Sequence, residues 1–98
     1  MTNEHIQERL ATLPGWAREA QAIRKQFVLE DFASAVAFVV RVGFDAEAAD
    51  HHPDILISSY KKVTLTFTTH SERGLTGKDF AGAAKAEQVW ATGGRSAR

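Results

Sequence analysis

The stretch from Ile55 to His70 constrains the fold most. Two runs rich in apolar and β-branched residues, Ile55 to Tyr60 and Val63 to His70, flank a Lys61-Lys62 pair, which is the pattern of two antiparallel strands with a tight connection. In the second run Val63, Leu65 and Phe67 share one parity, while Thr64, Thr66, Thr68 and His70 share the other. Successive strand side chains point to opposite faces, so one face of this hairpin is apolar and the other carries a threonine row ending in a histidine. Such a sheet must bury its apolar face, and an antiparallel sheet can leave the other to solvent or to a ligand.

The remaining elements must supply that cover. Ile6, Leu10 and Leu13 recur at helical spacing behind Thr2 and Asn3 as caps, until Pro14-Gly15 stops the pattern. From Trp16 to Leu29, Ile23, Phe27 and Leu29 oppose Arg24 and Gln26 in parity, with Lys25 and Val28 breaking the alternation. Two short strands joined near Glu19 to Gln21 are expected there. Val36, Val39, Val40 and Val42 would suit a strand, but the span from Glu30 to Asp50 passes without proline. Phe32, Val36, Val39, Gly43 and Ala46 return there at steps of three or four, behind Glu30 and Asp31, so it reads as a long central helix. Beyond Gly74, Thr76-Gly77-Lys78-Asp79 has the Thr-x-x-acid pattern of a capped start, ahead of Phe80, Ala83, Ala84 and Trp90. This C-terminal helix ends at Gly93-Gly94, and a frayed tail of four residues follows. The order α-β-β-α-β-β-α predicts an α+β fold, a four-stranded antiparallel sheet with three helices on one face.

A chain of 98 residues suits one domain, 1–98, with one core. Its twelve basic residues balance twelve acidic ones, so no positive field is present to hold a nucleic-acid backbone. Without cysteine there is no disulfide, thiolate nucleophile or Cys-based zinc site, which suits a reducing cytoplasm. The start MTNEHIQERL lacks an apolar stretch and the run Ala33 to Val40 is too short to span a bilayer, so neither export nor membrane insertion is expected. No G-x-S-x-G, P-loop or G-x-G-x-x-G pattern supports nucleophilic, phosphate or dinucleotide chemistry.

His51, His52 and His70 lie at element junctions, where loops present functional groups; His5, on the first helix, reads as a surface residue. Three readings of the cluster stand side by side. Two histidines before a proline can simply end a helix. Three imidazoles can form a zinc site, although Pro53 pushes His52 toward an extended conformation in which neighbouring side chains diverge. Acid–base chemistry asks less of geometry, because imidazole, with a reference pKa of about 6.5, can move separate protons from different sides of a flat substrate. Glu47, four residues before His51, could orient that imidazole on a continuing helix, or stand as a solvated carboxylate. Asp79 reads as a helix cap, and Tyr60 and Trp16 as packing aromatics.

The stretch Glu47-Ala48-Ala49-Asp50-His51-His52-Pro53, then Tyr60, Thr68-Thr69-His70, Gly74-Leu75-Thr76 and Asp79, resembles the signature of the pterin-4a-carbinolamine dehydratases. The likeness continues upstream in Gly15-Trp16, Ile23-Arg24-Lys25-Gln26-Phe27 and Asp31-Phe32, and so covers nearly the whole chain. It implies the same α+β fold. It also implies dehydration of the 4a-hydroxytetrahydropterin left by aromatic amino acid hydroxylases, giving a quinonoid dihydropterin for recycling, with neither metal nor organic cofactor. By motif, His51, His52 and His70 would be the active-site histidines, and Asp50, Thr68, Thr69 and Ser71 would help to form the pterin-binding walls. A homodimer or homotetramer is implied as well. Ile55 stands where some members have an aromatic residue, and Ser71-Glu72-Arg73 departs from the loop of many relatives. A non-catalytic interaction or assembly module of the same fold is the alternative, and a mononuclear metal hydrolase a second. A pterin dehydration assay separates the first from the enzyme, and metal analysis tests the second.

Overall fold

The computed structural model describes residues 1–94, and the expected frayed tail lies outside them. The elements are α1 (Asn3–Leu10), β1 (Ala17–Glu19), β2 (Ala22–Val28), α2 (Phe32–Ala49), β3 (Asp54–Ser58), β4 (Lys62–Phe67), a 3-10 turn (His70–Glu72) and α3 (Gly77–Val89). The four strands form one antiparallel sheet, as the α+β reading expects, and their order in it is β1-β2-β4-β3.

Each long helix begins where a side chain can take up a free backbone N–H. The Thr2 hydroxyl accepts from the His5 N–H at 3.1 Å, and the Asp31 carboxylate from the Ser34 N–H at 2.8 Å. That bond to the Ser34 backbone holds the Asp31 carboxyl below its ordinary value. At α3, Thr76 and Asp79 form the full capping box.

The helices cover the sheet face that carries Ile23, Phe27, Val63, Leu65 and Phe67, all buried. They contribute Ile6 from α1, Ala35, Phe38 and Val42 from α2, and Phe80, Ala83, Ala86 and Val89 from α3. Phe27 lies at the centre, with ring centroids 4.9 Å from Phe38, 5.2 Å from Trp90 and 6.1 Å from Trp16.

Two irregularities of the sequence pattern have physical causes. Lys25 shares parity with Ile23 and Phe27, yet its ammonium is satisfied by the Glu87 carboxylate at 2.6 Å and the Pro14 carbonyl at 3.1 Å. The same Glu87 oxygen accepts the Trp16 indole N–H at 2.9 Å, so the loop before β1, the sheet and α3 meet there. Val28 takes the opposite parity and is half exposed.

Two expected boundaries moved. The β3–β4 turn is centred on Ser59 and Tyr60, both left-handed at φ 47° and 53°, rather than on Lys61-Lys62. Lys62 already belongs to β4, opposite Ser58, so the loop is the three residues Ser59, Tyr60 and Lys61. The strand expected to run to His70 stops at Phe67, because Thr69 then pairs with Gly74 and the chain enters the 3-10 turn. Among the described residues no helix is long and apolar enough to cross a membrane.

Candidate active site

The histidine pair is placed by the way α2 ends. Asp50 takes the left-handed conformation, φ 52° and ψ 41°, which aspartate tolerates better than most residues. Its N–H donates to the Glu47 carbonyl at 3.2 Å, and the His51 N–H donates to the Ala46 carbonyl at 3.1 Å. These two bonds are the Schellman termination, and they turn His51 off the helix axis before Pro53 extends the chain into β3.

His51 is largely enclosed, with 14% of its side chain exposed. Its ring lies nearly parallel to Phe67, centroids 6.2 Å apart at 17°. Its Nε2 stands 2.7 Å from Oδ1 of Asp79, whose carboxylate is fully buried. The other carboxylate oxygen accepts the Thr69 hydroxyl at 2.8 Å and the Thr76 N–H at 3.0 Å. Thr76 and Thr69 hydroxyls lie 2.9 Å apart, and the Lys78 N–H donates to the Thr76 hydroxyl at 3.2 Å. The Thr69 hydroxyl and the Thr76 N–H are thus both donors to Asp79. An ionised carboxylate offers only acceptors, so the His51 ring proton belongs on Nε2. Nδ1, which has no hydrogen-bond partner among the described residues, keeps its lone pair.

His52 and His70 are exposed. Nε2 of His52 lies 2.8 Å from the Glu47 carboxylate, itself well exposed. Glu47 therefore supports the second histidine of the pair rather than the first: α2 stops at Ala49, and the left-handed Asp50 breaks the i, i+4 relation between Glu47 and His51. His70 opens the 3-10 turn, and the Thr68 hydroxyl donates to the Gln21 carbonyl at 2.6 Å, holding this segment against the β1–β2 turn.

Asp50, His51, His52, Thr68, Thr69, His70 and Ser71, the residues singled out from the sequence, all line one cavity of about 290 Å³. Lys78 completes the wall. Two residues here were missed as site groups, Asp79 and Lys78. The Thr-x-x-Asp pattern did mark Asp79 as a cap, and it is one; no local pattern connects it to a histidine 28 residues earlier. No set of three or more His, Asp or Glu side chains among the described residues is arranged to hold a metal ion.

An antiparallel sheet backed by three helices, with one imidazole anchored on a buried carboxylate beside two exposed imidazoles, defines a small α+β protein with a histidine-lined cavity. The family model described as Pterin 4 alpha carbinolamine dehydratase matches residues 1–89, and the chain belongs to that family. A protein of Roseiflexus castenholzii that carries the name "Putative pterin-4-alpha-carbinolamine dehydratase" is 53% identical over 89 residues, 91% of this chain and 95% of its own. A crystal structure from Brucella melitensis, described as a transcriptional coactivator/pterin dehydratase, superposes with a TM-score of 0.87 at 34% identity, over 91% of this chain and 96% of that one. A pterin dehydratase-like protein identified as a RuBisCO assembly factor in the alpha-carboxysome shares the fold, with a TM-score of 0.62 at 19% identity over 76% of this chain and 84% of that one.

Proposed function

We propose that the chain dehydrates a 4a-hydroxytetrahydropterin by histidine acid–base catalysis, without metal or organic cofactor. The observation that carries this reading is the anchoring of His51. A ring held through Nε2 by a buried acceptor keeps Nδ1 free to take a proton, in a cavity that it shares with His52 and His70. In the proposed step His51 takes the N5 proton. The N–H electron pair forms the C4a–N5 double bond, the C4a–O bond breaks, and His70 protonates the departing hydroxyl, so that water and a quinonoid dihydropterin result. His52, held by Glu47, positions the substrate with Asp50, Thr68, Thr69 and Ser71. No covalent intermediate is required.

The substrate would come from an aromatic amino acid hydroxylase in the cytoplasm, and the chain would act as a homodimer or homotetramer. Phe32, Val36, Val40 and Phe44 support association: they recur at steps of four along α2, and all are exposed, Phe44 by 74%. Stopped-flow decay of a 4a-hydroxypterin tests the reaction. The protein accelerates decay over buffer, a single His51→Ala or His70→Ala change removes about 10²–10⁴-fold at most, and the double variant approaches background. A wild-type protein no faster than buffer sinks the reading and leaves the interaction module.

A further inference from the structure

A second and larger cavity, of about 500 Å³, lies between α2 and α3, and the proposed reaction leaves it without a role. It is there because facing positions on the two helices carry very small residues. Ala46, Ala48 and Ala49 of α2 and Ala81 and Ala86 of α3 line it, in a molecule whose core is otherwise filled by interlocking aromatic rings. Its volume falls in the range of about 300–1,000 Å³ common for small-molecule sites. With walls this apolar, water finds few of the two to four polar partners that would hold it.

The few polar groups that line it define what head group it would take. Asp45, Lys78 and Lys85 contribute one negative and two positive charges, and none of their side chains has a hydrogen bond or ion pair to another described residue. That leaves a net positive charge beside apolar walls. His51, whose ring lies nearly parallel to the buried Phe67, also lines the cavity and offers an aromatic contact to a planar guest. We infer that this cavity binds a small aromatic carboxylate, its ring between α2 and α3 and its carboxylate on Lys78 and Lys85. Because His51 and Lys78 belong to both cavities, such a guest touches the anchored histidine without occupying the histidine-lined site.

The test is a titration of the full chain with 4-phenylbutyrate and its alcohol and amine counterparts, followed by calorimetry and by amide and methyl NMR. None of these readouts depends on turnover, so the outcome is independent of whether the protein dehydrates a pterin. The carboxylate binds saturably and shifts the signals of Ala46, Ala49, Gly82 and Ala86. The alcohol binds about 3–10-fold more weakly, as expected for the loss of partly exposed ion pairs, and the amine more weakly still. The Lys78→Ala, Lys85→Ala double variant brings the carboxylate down to the affinity of the alcohol. Ala49→Leu and Ala81→Leu each add a good helix former at an exposed position lining the cavity, and each weakens all three probes while circular dichroism remains native. The inference falls if millimolar carboxylate leaves those signals unmoved, if the three head groups bind alike, or if binding survives both leucine variants. It also falls if a pterin displaces the probe competitively, which would make the two cavities one site.

Discussion

Replacing Asp79 by asparagine keeps the shape of the side chain and exchanges one acceptor oxygen for a donating NH2. The native surroundings are all donors: the Thr69 hydroxyl at 2.8 Å and the Thr76 N–H at 3.0 Å on one oxygen, and His51 Nε2 at 2.7 Å on the other. An amide can accept on one side only. If its NH2 turned toward Thr76, two backbone and side-chain donors would face each other in a fully buried place, at a cost of about 1–3 kcal/mol for the unsatisfied group. If it turns toward His51, the ring can adapt by moving its proton from Nε2 to Nδ1, a smaller cost, so this arrangement wins. The exchange of charge-assisted bonds for neutral ones lowers stability by about 1–2 kcal/mol. The chemical effect is larger: Nδ1 now carries the proton, and the base that we propose, expected to contribute about 10²–10⁴-fold, is lost. Nitrogen-15 spectra of labelled histidine report the tautomer, urea unfolding the stability, and stopped flow the rate. An Asp79→Asn protein that keeps its His51 proton on Nε2 and turns over at the wild-type rate refutes this reasoning.

Gly82→Ala would place a Cβ 2.4 Å from the Phe67 ring. Overpacking of about 1–3 kcal/mol outweighs a helix-propensity gain of about 1 kcal/mol, so calorimetry should show a lower Tm and the spectra a displaced His51. Asp31→Ala removes the α2 cap. Since the folded Asp31 carboxyl lies below its unfolded value, the stabilisation is complete above the ordinary carboxylate range and is lost as pH falls through the lowered folded value. The Tm difference between wild type and variant should therefore be present at neutral pH and vanish in strong acid. A Val40→Glu, Phe44→Glu double variant adds charge only at exposed α2 positions, so sedimentation should show a smaller assembly with unchanged circular dichroism; an unchanged mass argues against α2 as the interface.

Much of this fold could be read from the chain because its local signals agree with one another. The parity of Val63, Leu65 and Phe67, the steps from Phe32 to Ala46 and the Thr76–Asp79 box each depend on residues within a few positions, and each marks an element that is present, although β4 ends at Phe67. The Ser59-Tyr60 turn was hidden because neither residue favours the left-handed region that it occupies. The end of β4 was hidden because Thr68 and Thr69 suit a strand, and only the Gly74 pairing draws the chain out of it. The residues around the cavity were legible as a motif, whereas their partners were not. Whether Glu47 reaches His51 or His52 depends on one left-handed residue between them, and the Asp79 contact depends on where α3 docks.

That docking gives the chain a particular order of maturation. Trp16 and Glu87 are joined across 71 positions, and His51 and Asp79 across 28. A nascent chain emerging from the ribosome holds all four strands and the three histidines of the cavity before any of α3 has been made. Until then Lys25 has no counter-ion and His51 no anchor, while Phe27 and Phe67 lack part of their cover. Contacts that span so much of the chain close late and leave partly folded species sticky in the meantime. Completion of the helix that seals the core is also the event that anchors the His51 ring on Asp79.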